Sequence, residues 1–278
     1  MNIAIVSHPR SGSSYLTRVF AQFSNVQTVM EPFHPNDEVA IQHIKHCLAD
    51  NFSRFENDIK LAGYAIGTYA HEQPVKFLTL LKQYVNKPTL VFKLFPEHIQ
   101  KTQFHALFNV VDGVIFLRRN QVHSFISSQI ANETNVWANK NTSDIFPHFQ
   151  EDAFLWWNKF IVSYFADVNN VVYSHGIPFT SIDYERINVE NSTVELLSEW
   201  SKNNNLNVGA YTASKINLLQ QDKRHLATEK VNNPHDLQAC LHKYGIFHLN
   251  SAFEPNGKVA LLKPTFMSRV SGLFSRGL

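Results

Sequence analysis

The opening run of the chain constrains the fold more than any other stretch. Asn2–Val6 (Asn-Ile-Ala-Ile-Val) is short, apolar and β-branched, the pattern of a buried strand, and it is closed by His8-Pro9. Ser7–Ser13 is a polar, turn-forming loop containing Gly12. From about Ser14 the apolar residues Leu16, Val19, Phe20 and Phe23 recur at i, i+3, i+4 and i+7, one face of a helix. Strand, glycine-bearing loop and amphipathic helix in that order begin an α/β unit.

The alternation continues downstream. Val26–Met30, Pro88–Leu94, Val114–Leu117 and Pro178–Ile182 read as strands. Asp37–Leu48, Val75–Tyr84, Glu97–Phe108, Glu151–Asp167 and Val194–Trp200 read as helices, and Val122, Phe125, Ile126 and Ile130 mark the inner face of another. The expectation is a three-layer α/β/α fold around a mostly parallel sheet, with a P-loop-like nucleotide-binding core. Asn51–Gln73 and Val136–Gln150 carry no motif and are expected to contain the loops that choose a second substrate. From Asn203 onward the pattern is less regular, and Met267–Leu278 is a Ser/Gly/Arg-rich segment, a loosely ordered tail in this reading. There is no internal repeat or low-complexity linker, so residues 1–278 are expected to form one domain.

Composition narrows the classes. Of 278 residues, 44% are hydrophobic and 17% charged, which is globular rather than disordered. A net charge of +2 suggests neither a nucleic-acid carrier nor a polybasic membrane anchor. Two cysteines, Cys47 and Cys240, supply neither a disulfide framework nor a four-thiolate zinc site. No run approaches the ~18 apolar residues of a membrane span, and the first residues lack the basic start and cleavage site of a secretory leader. The expected location is cytoplasmic.

Ser7-His-Pro-Arg-Ser-Gly-Ser-Ser-Tyr-Leu16 carries the chemistry. A loop between a strand end and a helix start presents unpaired N–H groups, and the helix dipole adds positive charge there. Gly12 allows close backbone approach. Ser11, Ser13 and Ser14 offer hydroxyl donors, and Arg10 a guanidinium fork. A serine-capped helix beside a surface arginine is the plainer reading of the same residues. The nucleotide-triphosphate signature Gly-x-x-x-x-Gly-Lys-Ser/Thr is absent, since no lysine follows Gly12. A second cluster, Val114-Ile-Phe-Leu-Arg-Arg-Asn120, ends a strand in two arginines, and the next helix carries Ser124, Ser127 and Ser128. Ligands of open α/β sheets sit beyond the carboxyl ends of the strands, where Arg10 and Arg119 would both lie.

The two segments together resemble the sulfotransferase family, whose donor is 3′-phosphoadenosine 5′-phosphosulfate (PAPS). Pro9-Arg10-Ser11-Gly12-Ser13-Ser14-Tyr15-Leu16 is similar to the family's first motif, and Arg119-Asn120 with Ser127 matches the spacing of its second. The resemblance implies that Arg10, Ser11, Gly12, Ser13 and Ser14 hold the 5′-phosphosulfate and that Arg119 and Ser127 hold the 3′-phosphate. Phe179-Thr-Ser-Ile-Asp-Tyr-Glu185 resembles the late strand whose tyrosine lies near adenine, implying a nucleotide contact for Tyr184. Lys93 of Lys93-Leu-Phe-Pro96 resembles the lysine of the family's Lys-Thr-His-Leu-Pro stretch, but Phe95 stands where the base histidine would be. Glu31, in Glu31-Pro-Phe-His34, resembles the candidate base of carbohydrate sulfotransferases. The resemblance covers about Asn2 to Ser128 plus Tyr184 and fades beyond.

Sulfuryl transfer requires a base for the attacking hydroxyl, neutralisation of charge on the departing phosphate, and in-line geometry. The implied assignment is Glu31 as base, with Arg10 and Lys93 at the leaving phosphate. His34 is a second candidate base, and Glu97 and His98 are remoter ones. PAPS would be the donor and 3′,5′-adenosine bisphosphate (PAP) the product, with no metal. The acceptor would be a hydroxyl on a carbohydrate or glycolipid rather than a phenol. Two alternatives stand beside this: a P-loop-type nucleoside-phosphate kinase, and a non-catalytic nucleotide-binding module. His43, His46 and Cys47 share a helical face but lack a fourth metal ligand, so solvated histidines and a buried cysteine are expected. Trp156-Trp157, with Phe154, Phe160 and Tyr164, is expected to be helix core, with sugar stacking as the other option. Lys223-Arg224 is a further candidate clamp for the 3′-phosphate.

Overall fold

The computed structural model describes residues 1–137, 141–187, 192–212 and 224–252. Lys223 and the 267–278 segment lie outside them. The strands are β1 (Asn2–Val6), β2 (Val26–Val29), β3 (Thr89–Leu94), β4 (Gly113–Arg118) and β5 (Phe179–Asp183). The helices are α1 (Ser13–Phe20), α2 (Asp37–Leu48), α3 (Phe52–Leu61), α4 (Ile66–Glu72), α5 (Pro74–Tyr84), α6 (Phe104–Phe108), α7 (Gln121–Thr134), α8 (Glu151–Ser174), α9 (Ser192–Asn203) and α10 (Pro234–Lys243). The contacts divide the chain into two compact units, Met1–Arg119 with Tyr164–Leu218, and Asn120–Ser163 with Leu219–Leu278.

The first unit is a five-stranded sheet in the order β2-β3-β1-β4-β5, and all four pairings are parallel. Parallel neighbours need crossover helices, which cover both faces and produce the three-layer α/β/α arrangement. Alternate residues of each strand point to opposite faces. Ile3 and Ile5 pack with Leu16, Val19 and Phe20 of α1 and Leu197 and Trp200 of α9. On the other face Phe92 meets Phe33, Phe33 meets Phe77 of α5, and Phe116 meets Phe165 of α8. β1, β3 and β4 are wholly or almost wholly buried, which is why they read as unbroken apolar runs rather than alternating ones.

Register places the chemistry. Val6 is level with Leu94 on one side and Phe116 on the other, so the loop after β1 emerges beside the ends of β3 and β4. Arg118 is level with Asp183, so Arg119 and Tyr184 leave the sheet side by side. Val29 is level with Phe92, and the Lys93 N–H donates to the Met30 carbonyl, which puts Glu31 next to Lys93.

The second unit is held by α7, α10 and the first part of α8. Val122, Phe125, Ile126 and Ile130 pack with Phe149, Phe154, Leu237, Cys240 and Leu241. Asn120 is the N-cap of α7: its side-chain oxygen accepts from the Val122 and His123 N–H groups, and its amide donates to the carbonyls of Leu249 and Ser251. A buried asparagine that satisfies four backbone groups is an effective cap and pin.

Several sequence expectations are corrected. Glu97–Phe108 is not one helix: it holds a single 3₁₀ turn at Lys101–Gln103 and the short α6. Its first residues form an irregular turn in which His98 and Ile99 are buried. The Asn51–Gln73 stretch is mostly helical, through α3 and α4, with Phe52, Phe55 and Ile59 of α3 buried. The region after Asn203 contains α10, started by Pro234 at its first turn and buried through Leu237, Cys240 and Leu241. Trp156 and Phe160 are not core: they are 68% and 42% exposed and stack on each other, whereas Phe154 and Tyr164 are buried as expected. No helix among the described residues is long and apolar enough to cross a membrane.

Candidate functional site

The β1–α1 loop has two left-handed residues, Arg10 at φ 67° and Gly12 at φ 86°. They turn the chain sharply enough to aim the first N–H groups of α1 out beyond the end of β1. Gly12 is the N-cap residue, and no side chain caps the helix, so the dipole and N–H groups of the first turn face outward. The plainer reading of a serine-capped helix therefore does not describe this terminus. Ser7 and Ser11 are buried, and their hydroxyls have no hydrogen-bond partner among the described residues. Ser13 is buried, its carbonyl accepting from the Thr17 hydroxyl, and Ser14 is exposed.

Two cations flank the loop on the β4 side. Arg119 donates through Nη1 to the Arg10 carbonyl, tying the loop to the end of β4. Its guanidinium lies 4.5 Å from the centroid of the Tyr184 ring, a cation–π contact. The same ring closes over Gly12: a Cβ there would stand 2.2 Å from Tyr184 Cδ2 and 2.5 Å from Cε2. Tyr184 thus supports Arg119 and covers the loop. Burial, together with the Arg119 charge, pushes the Arg10 guanidinium down to about 10, against a smaller opposing effect from Tyr184. A guanidinium disfavoured by burial and by a second cation beside it favours an anion nearby.

His8, which the sequence reading passed over, lies under this loop. It is fully buried, and its Nδ1 is 2.8 Å from the Pro9 carbonyl, to which it donates. Burial lowers it to about 4, the Pro9 hydrogen bond opposing and the Arg119 charge adding to the effect. The ring is neutral at physiological pH and acts as a brace under Arg10. The His-Pro dipeptide at a strand end was the signal available in sequence.

On the β3 side Lys93 is 3% exposed, a buried ammonium rather than a solvated strand-end lysine. Its Nζ donates to Ser14 Oγ at 2.9 Å and to Glu31 Oε1 at 3.2 Å. Burial lowers the Lys93 pKa, and the Glu31 carboxylate offsets part of that. Burial also acts to raise Glu31, but the neighbouring His98 and the Lys93 charge outweigh it and hold the carboxyl at about 2. Glu31 is therefore an ionised carboxylate, 17% exposed, in direct contact with the cation that touches Ser14 at the start of α1. His98 and His34 approach its other oxygen at 3.7 and 3.8 Å. Glu97, also near Glu31, is raised by burial first and by the Glu31 charge.

The fold therefore brings Arg10, Ser11, Gly12, Ser13, Ser14, Glu31, Lys93, Arg119 and Tyr184 to the ends of adjacent strands in one unit. Ser127 stands on α7 in the second unit, about two turns past Asn120. Arg224, also in the second unit, donates to the Ile145 carbonyl and lies over the Phe146 ring. His46 is exposed and Cys47 buried, as expected, while His43 is half-buried on the side of α2 that senses Glu31 and Lys93. Among the described residues no group of three or more His, Cys, Asp or Glu side chains is arranged to hold a metal ion.

No protein-family model and no curated protein matches the sequence. Among solved structures the chain is similar to deoxyadenosine kinase from M. mycoides with bound dATP, at 18% identity and a TM-score of 0.35. That alignment covers 72% of this chain and 98% of the kinase.

Proposed function

We propose that the protein transfers a sulfuryl group from PAPS to an acceptor hydroxyl, with a carbohydrate or glycolipid as the acceptor class. The observation that supports it most directly is the Ser14–Lys93–Glu31 chain of contacts, which joins an anion-binding helix terminus, a buried cation and a carboxylate in one place. The phosphosulfate would lie on the first turn of α1 between Arg10 and Lys93. Glu31 would take the acceptor proton as the oxygen attacks sulfur. Lys93, Arg10 and the helix N-terminus would neutralise the phosphate oxygen as the S–O bond breaks. Arg119, fixed by Tyr184 and the Arg10 carbonyl, would take the 3′-phosphate.

A P-loop-type nucleoside-phosphate kinase is the second reading. Here Ser13 follows Gly12 where the nucleotide-triphosphate loop has its lysine, and Lys93 from β3 reaches Ser14 instead. Thermal unfolding with added nucleotides separates the two. PAP is expected to raise the melting temperature and Arg119→Ala to abolish that rise, while ATP with magnesium has little effect on either protein. Equal stabilisation by ATP–magnesium and turnover of ATP would replace the sulfotransferase reading with the kinase one. A labelled-sulfate transfer screen over sugars, glycolipids and phenols then identifies the acceptor.

A further inference from the structure

The Glu31 carboxylate has a different environment on each oxygen. Oε1 receives the Lys93 ammonium, and Oε2 faces the Nε2 atoms of His98 and His34 at 3.7 and 3.8 Å. Which of these nitrogens carry hydrogen is fixed on the far side of each ring. The Phe95 N–H donates to His98 Nδ1 at 3.2 Å, and the Asn36 N–H donates to His34 Nδ1 at 3.0 Å. A nitrogen that accepts a hydrogen bond bears no proton, so each neutral ring carries its proton on Nε2. The Asn36 carbonyl also lies 3.3 Å from His34 Nδ1, but a proton there would collide with the closer Asn36 N–H.

Both supports are built into the backbone. Asn36 is the N-cap of α2, and the His34 N–H donates back to the Glu31 carbonyl, so the turn from Glu31 to Asn36 is closed on itself. His98 has no exposed surface, its N–H donates to the Phe95 carbonyl, and among the described residues its Nε2 has no closer partner than Glu31 Oε2, 3.7 Å away.

We propose that His34 and His98 are positioning residues for Glu31: their backbone-fixed tautomers turn two Nε2–H groups toward Oε2 and leave Glu31 as the proton acceptor of the cluster. Neither imidazole offers a lone pair on the side facing Glu31, so His34 does not serve as an alternative base while its Nδ1 is occupied. This assignment rests on the sulfuryl-transfer reading only for what delivers the proton. There the acceptor O–H bond breaks, its proton passes to Glu31, the acceptor oxygen bonds to sulfur, and the electrons of the old S–O bond remain on the nucleotide phosphate. The other ionisable groups around the carboxylate are Lys93 on β3, His43 on α2 and Glu97 in the loop after β3.

Nitrogen-15 NMR of the purified protein reads the tautomers, and carbon-13 titration of the Glu31 carboxyl reads its ionisation, both without donor or acceptor. The expected result is Nε2–H in both rings. His34→Ala should move the Glu31 midpoint upward by roughly one pH unit, because an N–H facing the charged form is lost. His98→Phe should do the same, and His98→Gln, whose amide N–H takes the place of Nε2–H, should restore part of the shift. His34 is partly exposed, so its variant keeps the test open if the buried position tolerates no change. An Nδ1–H tautomer in either ring, or a Glu31 midpoint that ignores His34→Ala, would overturn the proposal. In the transfer assay the acid limb of kcat/KM should shift with the same variants. A complete lack of transfer with the NMR results as expected would sink the sulfotransferase reading and leave the assignment of His34 and His98 standing.

Discussion

Gly12→Ala is expected to destabilise the protein by about 2–5 kcal/mol and to remove nucleotide binding at the same time. Two separate costs meet at this position. The backbone is left-handed at φ 86°, which costs a residue with a Cβ roughly 1–2 kcal/mol. The added carbon would also stand 2.2 Å from the Tyr184 ring, and forcing a packed group aside costs roughly 1–3 kcal/mol. The ring cannot move alone, because Arg119 lies over it and holds the Arg10 carbonyl. Displacing Tyr184 therefore disturbs both cations of the proposed phosphate site. Urea denaturation of Gly12→Ala, Tyr184→Ala and the double variant measures this. The double variant should regain the steric part of the stability and none of the PAP-induced rise in melting temperature. A Gly12→Ala protein that is as stable as the parent and still responds to PAP would show that the loop and Tyr184 do not form one unit.

The layers of the fold were legible because burial leaves a strong trace. β1, β3 and β4 are buried on both faces and read as apolar runs, and α1 shows its inward face at Leu16, Val19 and Phe20. Asn36, whose side chain accepts from the Glu38 and Val39 N–H groups, was a helix-entry signal available in sequence but not drawn on. Pairing order was not legible. Nothing local to Lys93 says that β3 runs between β2 and β1, yet that placement alone brings its ammonium to Glu31, 62 residues away in sequence. Lone hydrophilic residues inside apolar strands were the available hint, because a lysine at a fully buried position needs a charged partner. The Glu97–Phe108 pattern misled because buried His98 and Ile99 serve a turn instead of a helix. Local periodicity was overlooked in α3, where Phe52, Phe55 and Ile59 keep helical spacing among polar residues. The aromatic part of α8 shows a third limit: hydrophobic character alone did not separate the buried Phe154 from the exposed Trp156 two positions on.

Lys93→Met is expected to weaken the fold by about 2 kcal/mol at pH 7 and to abolish transfer, and a second change at Glu31 should repair only the first defect. The Glu31 carboxyl sits at about 2 in the folded protein against an ordinary value of 4.5. Its folded pKa is depressed, so the stabilisation is fully present above pH 4.5 and is lost as the pH falls through about 2; at neutral pH it amounts to about 3 kcal/mol. Removing the ammonium takes away a main support of the carboxylate. Lys93 itself is less comfortable buried than in water, and methionine relieves that, so the net loss is smaller than the full contribution of Glu31. In Lys93→Met/Glu31→Gln neither charge remains, and stability at pH 7 should return to within about 1 kcal/mol of the parent. Denaturation of the four proteins at pH 7 and pH 3 measures both the coupling and its pH dependence: the gap between parent and Lys93→Met should narrow at pH 3. A gap of equal size at the two pH values would mean that Lys93 acts through packing alone, and the chain of contacts from Ser14 to Glu31 would lose its electrostatic meaning.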